Sequence, residues 1–109
     1  MMSLKRGDVV WVKLDPTVGA EIKKERPCVI VSLTALNGKR STVIVVPLAS
    51  SGYVRPPLVV AVDSVGKGSN ARIDQLRAVD KNRIGNVFGK LPNHEMLEIE
   101  RAIVTVLGL

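Results

Sequence analysis

The sequence predicts a mainly β protein that ends in one α-helix. Short runs rich in Val and Ile recur through residues 8–90, and Gly, Pro, Asn or Ser bound each run. Beyond residue 92 the apolar residues change to the spacing of a helix. Several short strands in quick succession favour a sandwich or a barrel. At 109 residues the chain suits one domain over 1–109, since it is too short for two independent cores.

Five runs are predicted to form strands, and a sixth is a weaker candidate. Residues 8–14 (DVVWVKL) combine β-branched and aromatic side chains and stop at an Asp-Pro pair. The further strands are 28–33, 42–47, 58–62 and 72–79, with 84–90 as the weaker candidate. In that last run, Gly85 and Gly89 indicate bulges or the close approach of another backbone. Trp11 lies in an apolar run and is expected in the core or in a dimer contact.

The helix is predicted over residues 93–106. Apolar residues at 96, 99, 103 and 107 recur at helical spacing after a Pro-Asn start signal. Asn93 is expected to cap the start of the helix. Glu95 lies in the first turn, where a carboxylate complements the positive end of the helix dipole.

Two connections are candidate functional loops. The one over residues 15–26 has twelve residues, whereas hairpin loops usually take about two to five. It holds Gly19, which permits sharp turns, among charged residues, and a solvated loop of mixed charge is the alternative. The loop over 49–57 is short of acidic residues and could face an anion.

The charge balance favours a polyanionic partner. Sixteen Lys and Arg against ten Asp and Glu give a formal net charge of +6, so nucleic acid leads over a membrane surface. The apolar runs fall far short of the roughly 20 residues that span a bilayer, and no secretory signal is apparent, so a cytoplasmic protein is expected. Cys28 is the one cysteine, so an internal disulfide is excluded. Its side chain is expected to be a buried small hydrophobe. One His and one Cys cannot assemble the His/Cys cluster of a zinc site, and the dispersed carboxylates argue against a two-metal site, so no metal and no cofactor are expected. A magnesium ion held by carboxylates stays open as the alternative.

The most specific pattern in the chain spans residues 7–32, GDVVWVKLDPTVGAEIKKERPCVIVS. It is followed by a Val-rich strand ending in Pro47-Leu48, and then by Asp74-Gln75 with Arg77, Asp80 and Arg83. In this order and spacing, almost the whole chain resembles the MazF/PemK toxins. The resemblance implies an SH3-like small barrel with a C-terminal helix, of the MazF/PemK/CcdB type. It also implies a homodimeric, metal-independent and ribosome-independent endoribonuclease that cuts single-stranded RNA at short sequences and is silenced by a cognate antitoxin.

Metal-free cleavage of RNA uses the 2′-hydroxyl of the substrate as its nucleophile. A base must take the hydroxyl proton, a donor must assist the departing 5′ oxygen, and a cation must steady the phosphorane charge. Arg26 is the first candidate, because its planar guanidinium matches phosphate oxygens bidentately. Electrostatic stabilisation is its expected role, since arginine barely deprotonates.

Three further residues complete the predicted catalytic set. Arg72 and Asp74 are two apart on the predicted strand 72–79, so their side chains would share one face. Some members of the family use this pair, and Asp74 would then act as the general base and Arg72 as a second phosphate clamp. A structural ion pair is the alternative. Ser50, or Ser51 beside it, would supply the hydroxyl that many relatives carry on a Thr where this chain has Ala49.

Side chains suited to RNA phosphates, base edges or sugars lie in both loops and in the predicted strand 72–79. They are Thr17, Glu21, Lys23, Lys24, Ser51, Tyr53, Arg55, Gln75 and Arg77. An acidic antitoxin segment is expected to lie over the same basic groove. Two alternatives stay open. One is a catalytically degenerate barrel that binds RNA without cutting it, which Ala49 suggests, and the other is a CcdB-like toxin that acts on a protein target.

Overall fold

The computed structural model describes residues 3–14, 18–20 and 24–109. The strands are β1 (Asp8–Lys13), β2 (Glu25–Ile30), β3 (Thr42–Ala49), β4 (Val59–Ala61), β5 (Asn70–Arg72), β6 (Arg77–Asp80) and β7 (Ile84–Lys90). The helices are α1 (Thr34–Asn37) and α2 (Asn93–Leu107), and 3₁₀ turns cover Ile73–Gln75 and Lys81–Arg83. The predicted class, mainly β with a C-terminal helix, is confirmed.

The strands form one antiparallel sheet that is held together by β3. Pairing runs in the order β4-β5-β3-β2-β1-β7, and β6 pairs with the first half of β3. Among the described residues no ladder joins β4 to β7, so hydrogen bonds do not close the predicted barrel.

The second strand begins earlier than the sequence predicts. Its ladder with β1 pairs Lys13 with Glu25 and Val12 with Arg26, and the Leu14 amide donates to the Lys24 carbonyl at 3.0 Å. Strand pairing satisfies backbone groups whether or not the side chains are apolar, so the charged residues continue the strand. Arg26 therefore lies on a strand and not in the preceding loop, which corrects the predicted boundary.

The predicted strand 72–79 is wrong, because the structure divides it. Leu48 pairs with Ala71 and Val45 pairs with Arg77, so three steps along β3 face six steps along the partner segment. The surplus is taken up by the 3₁₀ turn Ile73–Gln75. Pro47 lies between Val45 and Leu48 in β3, opposite this turn, and it has no N–H to donate to a ladder.

The weaker candidate strand is confirmed with the predicted bounds as β7. Its register with β1 shifts twice, between Val9 and Val10 and between Val10 and Val12, as expected of bulges. The backbone also approaches closely, since a Cβ added at Gly85 would lie 3.5 Å from the Cβ of Trp11. Trp11 itself is 39% exposed, so it does not lie in the core, and the dimer contact stays a prediction.

Two apolar clusters form the core. One contains Val9, Val46, Leu48 and Ile73 from the sheet side with Met96 and Ile99 from α2. The other contains Val10, Val12, Cys28, Ile30, Val43 and Val45, so the neighbouring residues Val9 and Val10 of β1 face different clusters. The expected burial of Cys28 is confirmed.

The C-terminal helix is confirmed, and it runs one residue beyond its predicted end. Gly108 closes it in the left-handed region with φ 72°. The predicted cap is wrong: Pro92 is the cap residue, in extended geometry, and Asn93 is the first residue of α2. The ring of Pro92 fixes φ and leaves no N–H that would need a partner, which suits the residue just before the first helical turn. Glu95 is buried, and it accepts from the Ser64 amide at 3.1 Å and from the Ser64 hydroxyl.

Candidate functional site

A groove of about 350 Å³ opens where β1, β2 and β3 meet the loop that follows β4. The described residues that line it are Trp11, Glu25, Arg26, Pro27, Leu48, Ala49, Ser50, Val65 and Ser69. Strand register explains the meeting, because Trp11 pairs with Pro27 and the next residue of β2, Cys28, pairs with Pro47. Residues that are far apart in the chain therefore share one surface.

The groove brings together two of the four predicted catalytic residues. Arg26 is exposed near the start of β2, and the ring of Pro27 fixes the backbone directly after it. At the end of β3, Leu48 is buried, Ala49 is half-buried and Ser50 is exposed, so the chain leaves the core at the groove. A guanidinium and a hydroxyl thus line the same space, which is a combination suited to phosphate oxygens.

Ser69 adds a second hydroxyl-bearing side chain to the lining, and sequence reasoning missed it. The residue is buried in a turn whose amide and carbonyl groups are paired, with the Ser69 amide donating to Gly66 and the Val62 amide donating to Ser69, each at 2.9 Å. It belongs to no predicted strand or motif. Only the glycines at 66 and 68 mark the segment in the sequence as a turn.

Arg72, the third predicted catalytic residue, is held by a buried amide. Its Nε donates to Asn70 Oδ1 at 2.8 Å, and its Nη2 donates to the Ser51 carbonyl at 2.6 Å. Asn70 is 0% exposed, and its Nδ2 donates to the carbonyls of Ser51 at 3.2 Å and Gly68 at 3.4 Å. Gly52, with φ 101°, completes the arrangement because a Cβ there would overlap Nη2 of Arg72. The guanidinium is thereby fixed to the loop that carries Ser50 and Ser51.

Asp74, the fourth predicted catalytic residue, does not share a strand face with Arg72. It is exposed in the 3₁₀ turn that interrupts the predicted strand. Among the residues that the structure describes, an ion pair joins Arg6 to Glu100, but no ion pair joins Arg72 to Asp74. The alternative of a structural ion pair between them is therefore wrong. Neither residue is among the described residues that line the groove.

The predicted RNA-binding residues fall into three groups. Thr17, Glu21 and Lys23 lie outside the described residues. Lys24, Ser51, Tyr53 and Arg55 are exposed, with Lys24 at a φ of 67° just before β2 and Arg55 bridging to Val59. Gln75 and Arg77 are half-buried, and Nη1 of Arg77 donates to the Leu14 carbonyl at 3.5 Å. None of the described six lines the groove that holds Arg26 and Ser50.

The thiol of Cys28 is unsuited to nucleophilic chemistry. Burial raises its pKa to about 12, an effect that the positive charge of Arg77 partly opposes. The group therefore stays protonated near neutral pH.

The described residues offer neither a metal-binding cluster nor a membrane-spanning helix. Within residues 3–14, 18–20 and 24–109, no three His, Cys, Asp or Glu side chains are grouped so as to hold a metal ion. In the same part of the chain, no helix has the length and apolar character needed to cross a membrane.

Comparison with known proteins finds one family. The model of the "PemK-like, MazF-like toxin of type II toxin-antitoxin system" family matches residues 5–107. The chain is 35% identical over 109 residues to the endoribonuclease PemK of Escherichia coli, covering 95% of this chain and 82% of that protein. It is 32% identical over 111 residues to the endoribonuclease MazF of Staphylococcus saprophyticus, covering 97% and 92% respectively.

Solved structures share the fold. MazF from Deinococcus radiodurans superposes with a TM-score of 0.85 at 21% identity, and the match covers 100% of both chains. An endoribonuclease from a mycobacterial species, solved in complex with its cognate antitoxin, superposes with a TM-score of 0.80 at 25% identity, covering 96% of this chain and 95% of that one.

Proposed function

The chain belongs to the PemK-like, MazF-like toxin family of type II toxin–antitoxin systems, and we propose that the groove holding Arg26 and Ser50 is its endoribonuclease site. The meeting of these two side chains in one groove carries the proposal. Arg26 lies on β2 at a position that the family resemblance assigns to catalysis. Ser50 directly follows β3 and Ala49, and its hydroxyl would replace the one that many relatives carry on a Thr at position 49. The substrate is single-stranded RNA, which can enter a groove of this size with its bases unpaired.

The reaction is a transesterification within the substrate. The 2′-oxygen attacks the adjacent phosphorus, the bond to the 5′ oxygen breaks, and the products carry a 2′,3′-cyclic phosphate and a 5′-hydroxyl. Arg26 offers parallel N–H donors to the non-bridging oxygens, whose charge grows in the transition state. The hydroxyl of Ser50 supplies a further donor, and the buried Ser69 also lines the groove.

We also assign Arg72 and Asp74, which are not among the residues that line the groove, to the proposed machinery. Arg72 is a second cation with its guanidinium fixed to the Ser51 carbonyl, so it can meet a phosphate with little loss of side-chain freedom. Asp74 is an exposed carboxylate, and the resemblance assigns it the removal of the 2′-hydroxyl proton. Replacement of Asp74 by Asn tests that role, because the amide keeps the shape of the side chain and loses the basic oxygen.

A second candidate function is an RNA-binding barrel that does not cut. Ala49 favours this function, because it lines the groove with a methyl group where many relatives carry the hydroxyl of a Thr. A toxin with a protein target, the CcdB-like alternative, receives less support because the matched relatives are endoribonucleases.

The product of the reaction decides between cutting and binding alone. Purified protein, free of antitoxin, is incubated with single-stranded RNA in EDTA, and fragment ends are identified by mass spectrometry. Cleavage to 2′,3′-cyclic phosphates is expected, with loss of activity in Arg26→Ala and retention in Arg101→Ala, an exposed arginine on α2. Intact RNA in EDTA, or equal activity in both variants, would contradict the proposed site.

The proposed assembly has two partners. A second copy of the chain would cover the apolar depression of about 380 Å³ that includes Ile44, Val104 and Leu107, all of them exposed. The net charge of +6 on the chain would attract an acidic antitoxin segment, which would lie over the groove that holds Arg26 and exclude RNA from it. Light scattering of the free protein is expected to give the mass of a dimer. We place this activity in the cytoplasm, where its RNA substrate lies.

A further inference from the structure

The aromatic side chains of this protein all lie at the surface. The sequence has one Trp, one Tyr and one Phe, and Trp11, Tyr53 and Phe88 are 39%, 87% and 47% exposed. Aromatic rings usually supply the bulk of a core, but here the core is built from aliphatic residues with one Cys. The rings are therefore available for contacts outside the chain.

Two of these rings form a pair. The centroids of Trp11 and Phe88 are 5.2 Å apart, with an angle of 25° between the ring planes. This is the offset-stacked geometry that aromatic pairs favour. Neither ring is enclosed, so the pair presents a broad apolar surface to solvent.

The bulges between β1 and β7 build the pair. Val9 pairs with Gly89 and Val10 pairs with Val87, which leaves Phe88 as an extra residue in β7. A bulge turns the side chain of the extra residue away from its regular direction, and bulges often lie beside active sites. A second shift follows opposite Trp11, since Val10 pairs with Val87 and Val12 pairs with Ile84, so that this one residue of β1 faces two residues of β7. Both rings thus stand where the ladder is irregular.

The pair adjoins the proposed active site. Trp11 lines the groove together with Arg26 and Ser50. Phe88 lines a neighbouring depression of about 160 Å³ together with Lys90, and Val65 lines both spaces. Each ring therefore shares its space with a cation, Trp11 with Arg26 and Phe88 with Lys90.

We propose that the Trp11–Phe88 pair is a stacking platform for an unpaired RNA base next to the cleaved phosphate. The proposal rests on the endoribonuclease function argued above. Every base has a π-face, so such a platform adds affinity without demanding one base. It accepts a base only when that base has left a duplex, which would make the pair a determinant of single-strand selectivity. The flanking cations suit the phosphates on either side of the stacked base.

The single tryptophan gives a direct probe. Wild-type protein is titrated with RNA carrying 2′-O-methyl groups, which cannot be cleaved because the nucleophile is blocked, and the fluorescence of Trp11 is followed. Quenching is expected on binding, and it should be lost when the nucleotide beside the scissile phosphate is made abasic. Equal quenching by the abasic strands, or none by the intact one, would overturn the platform.

Substitutions at Phe88 separate stacking from general apolar contact. Phe88→Leu keeps an apolar side chain and removes the ring, whereas Phe88→Tyr keeps the ring. Phe88→Leu is expected to weaken RNA binding and to raise KM roughly tenfold with kcat little changed, and Phe88→Tyr to restore both. Leu97→Ala, an exposed apolar position on α2, is the matched control and should behave as wild type.

The outcomes also separate this proposal from the function on which it rests. Wild-type cleavage in EDTA with unchanged KM in Phe88→Leu would overturn the platform alone. A change of dimer mass or of antitoxin binding in Phe88→Leu, with RNA binding intact, would assign the rings to a protein interface and overturn the platform. If the wild type neither binds nor cleaves RNA, both proposals fail.

Discussion

Asn70 is predicted to hold Arg72 in its working position, and Asn70→Ala removes that support. The side chain is 0% exposed and makes hydrogen bonds to Arg72 Nε at 2.8 Å and to the carbonyls of Ser51 and Gly68 at 3.2 and 3.4 Å. A bond to a charged donor contributes about 1.5–3 kcal/mol and a neutral one about 0.5–1.5 kcal/mol. The Ser51 carbonyl keeps its bond from Arg72, and the Gly68 bond is long, so we expect a loss of about 3 kcal/mol of unfolding free energy.

Urea denaturation measures this loss. Small domains have about 5–15 kcal/mol of unfolding free energy, so the variant should stay folded with an unchanged slope of free energy against urea. Asn82→Ala makes the same chemical change at an exposed position and should shift stability by no more than about 0.5 kcal/mol. A loss in Asn70→Ala as small as that of the control would refute the energetic reasoning.

Activity tests the positioning role separately from stability. With its Nε partner gone, Arg72 can leave the Ser51 carbonyl, and kcat/KM is expected to fall roughly tenfold under conditions where the variant is fully folded. If Arg72 meets a phosphate, the slope of log affinity against log salt should also become shallower by about 0.7. Full activity with an unchanged salt slope would show that Asn70 supports the fold and not the site.

Three further predictions follow from single residues. Arg26→Ala should lower kcat/KM in EDTA by about 100-fold. Arg26→Lys should recover only part of that activity, because an ammonium cannot bind two phosphate oxygens side by side, and an Arg26→Lys variant as active as the wild type would refute this role. The folded pKa of Cys28, about 12, exceeds its ordinary value of 9.0, so its contribution to stability is present below pH 9 and is lost as the pH rises toward 12. Unfolding free energy should fall by about 1.4 kcal/mol per pH unit there, with a shallower fall in Cys28→Ala. Glu95→Ala should cost about 2–3 kcal/mol in urea denaturation, and Ser64→Ala should cost less because the bond from the Ser64 amide to Glu95 remains.

Local patterns in the sequence predict much of this fold correctly. The Val-rich runs give β1, β3, β4 and β7 within two residues of their ends, and the change to helical spacing gives α2 within one. These signals succeed because each depends on which side of one segment is apolar, and neighbouring residues record that.

The interrupted strand shows where local reasoning fails. Residues 72–79 have the composition of a strand, but only their last part, from Arg77 on, pairs with β3, whereas Ala71 just before them pairs with β3 on the other side of Pro47. The chain resolves this with a 3₁₀ turn at Ile73–Gln75, which takes Asp74 away from Arg72. Register against a partner is a property of two segments, so composition of one segment does not reveal it.

Within the candidate site, the sequence by itself identifies the family and points to Arg26 and Ser50. It can do so because each of these residues belongs to a short continuous motif, one over residues 7–32 and the other at the end of β3. Only the tertiary structure places those two in one groove with Ser69, buries Asn70 behind Arg72 and leaves Trp11 exposed against Phe88. The alternation along β1 gives the face on which Trp11 lies, but whether that face is covered depends on where β7 and α2 pack. Burial and strand register are set by contacts between distant segments, and for that reason they decide the details of the site.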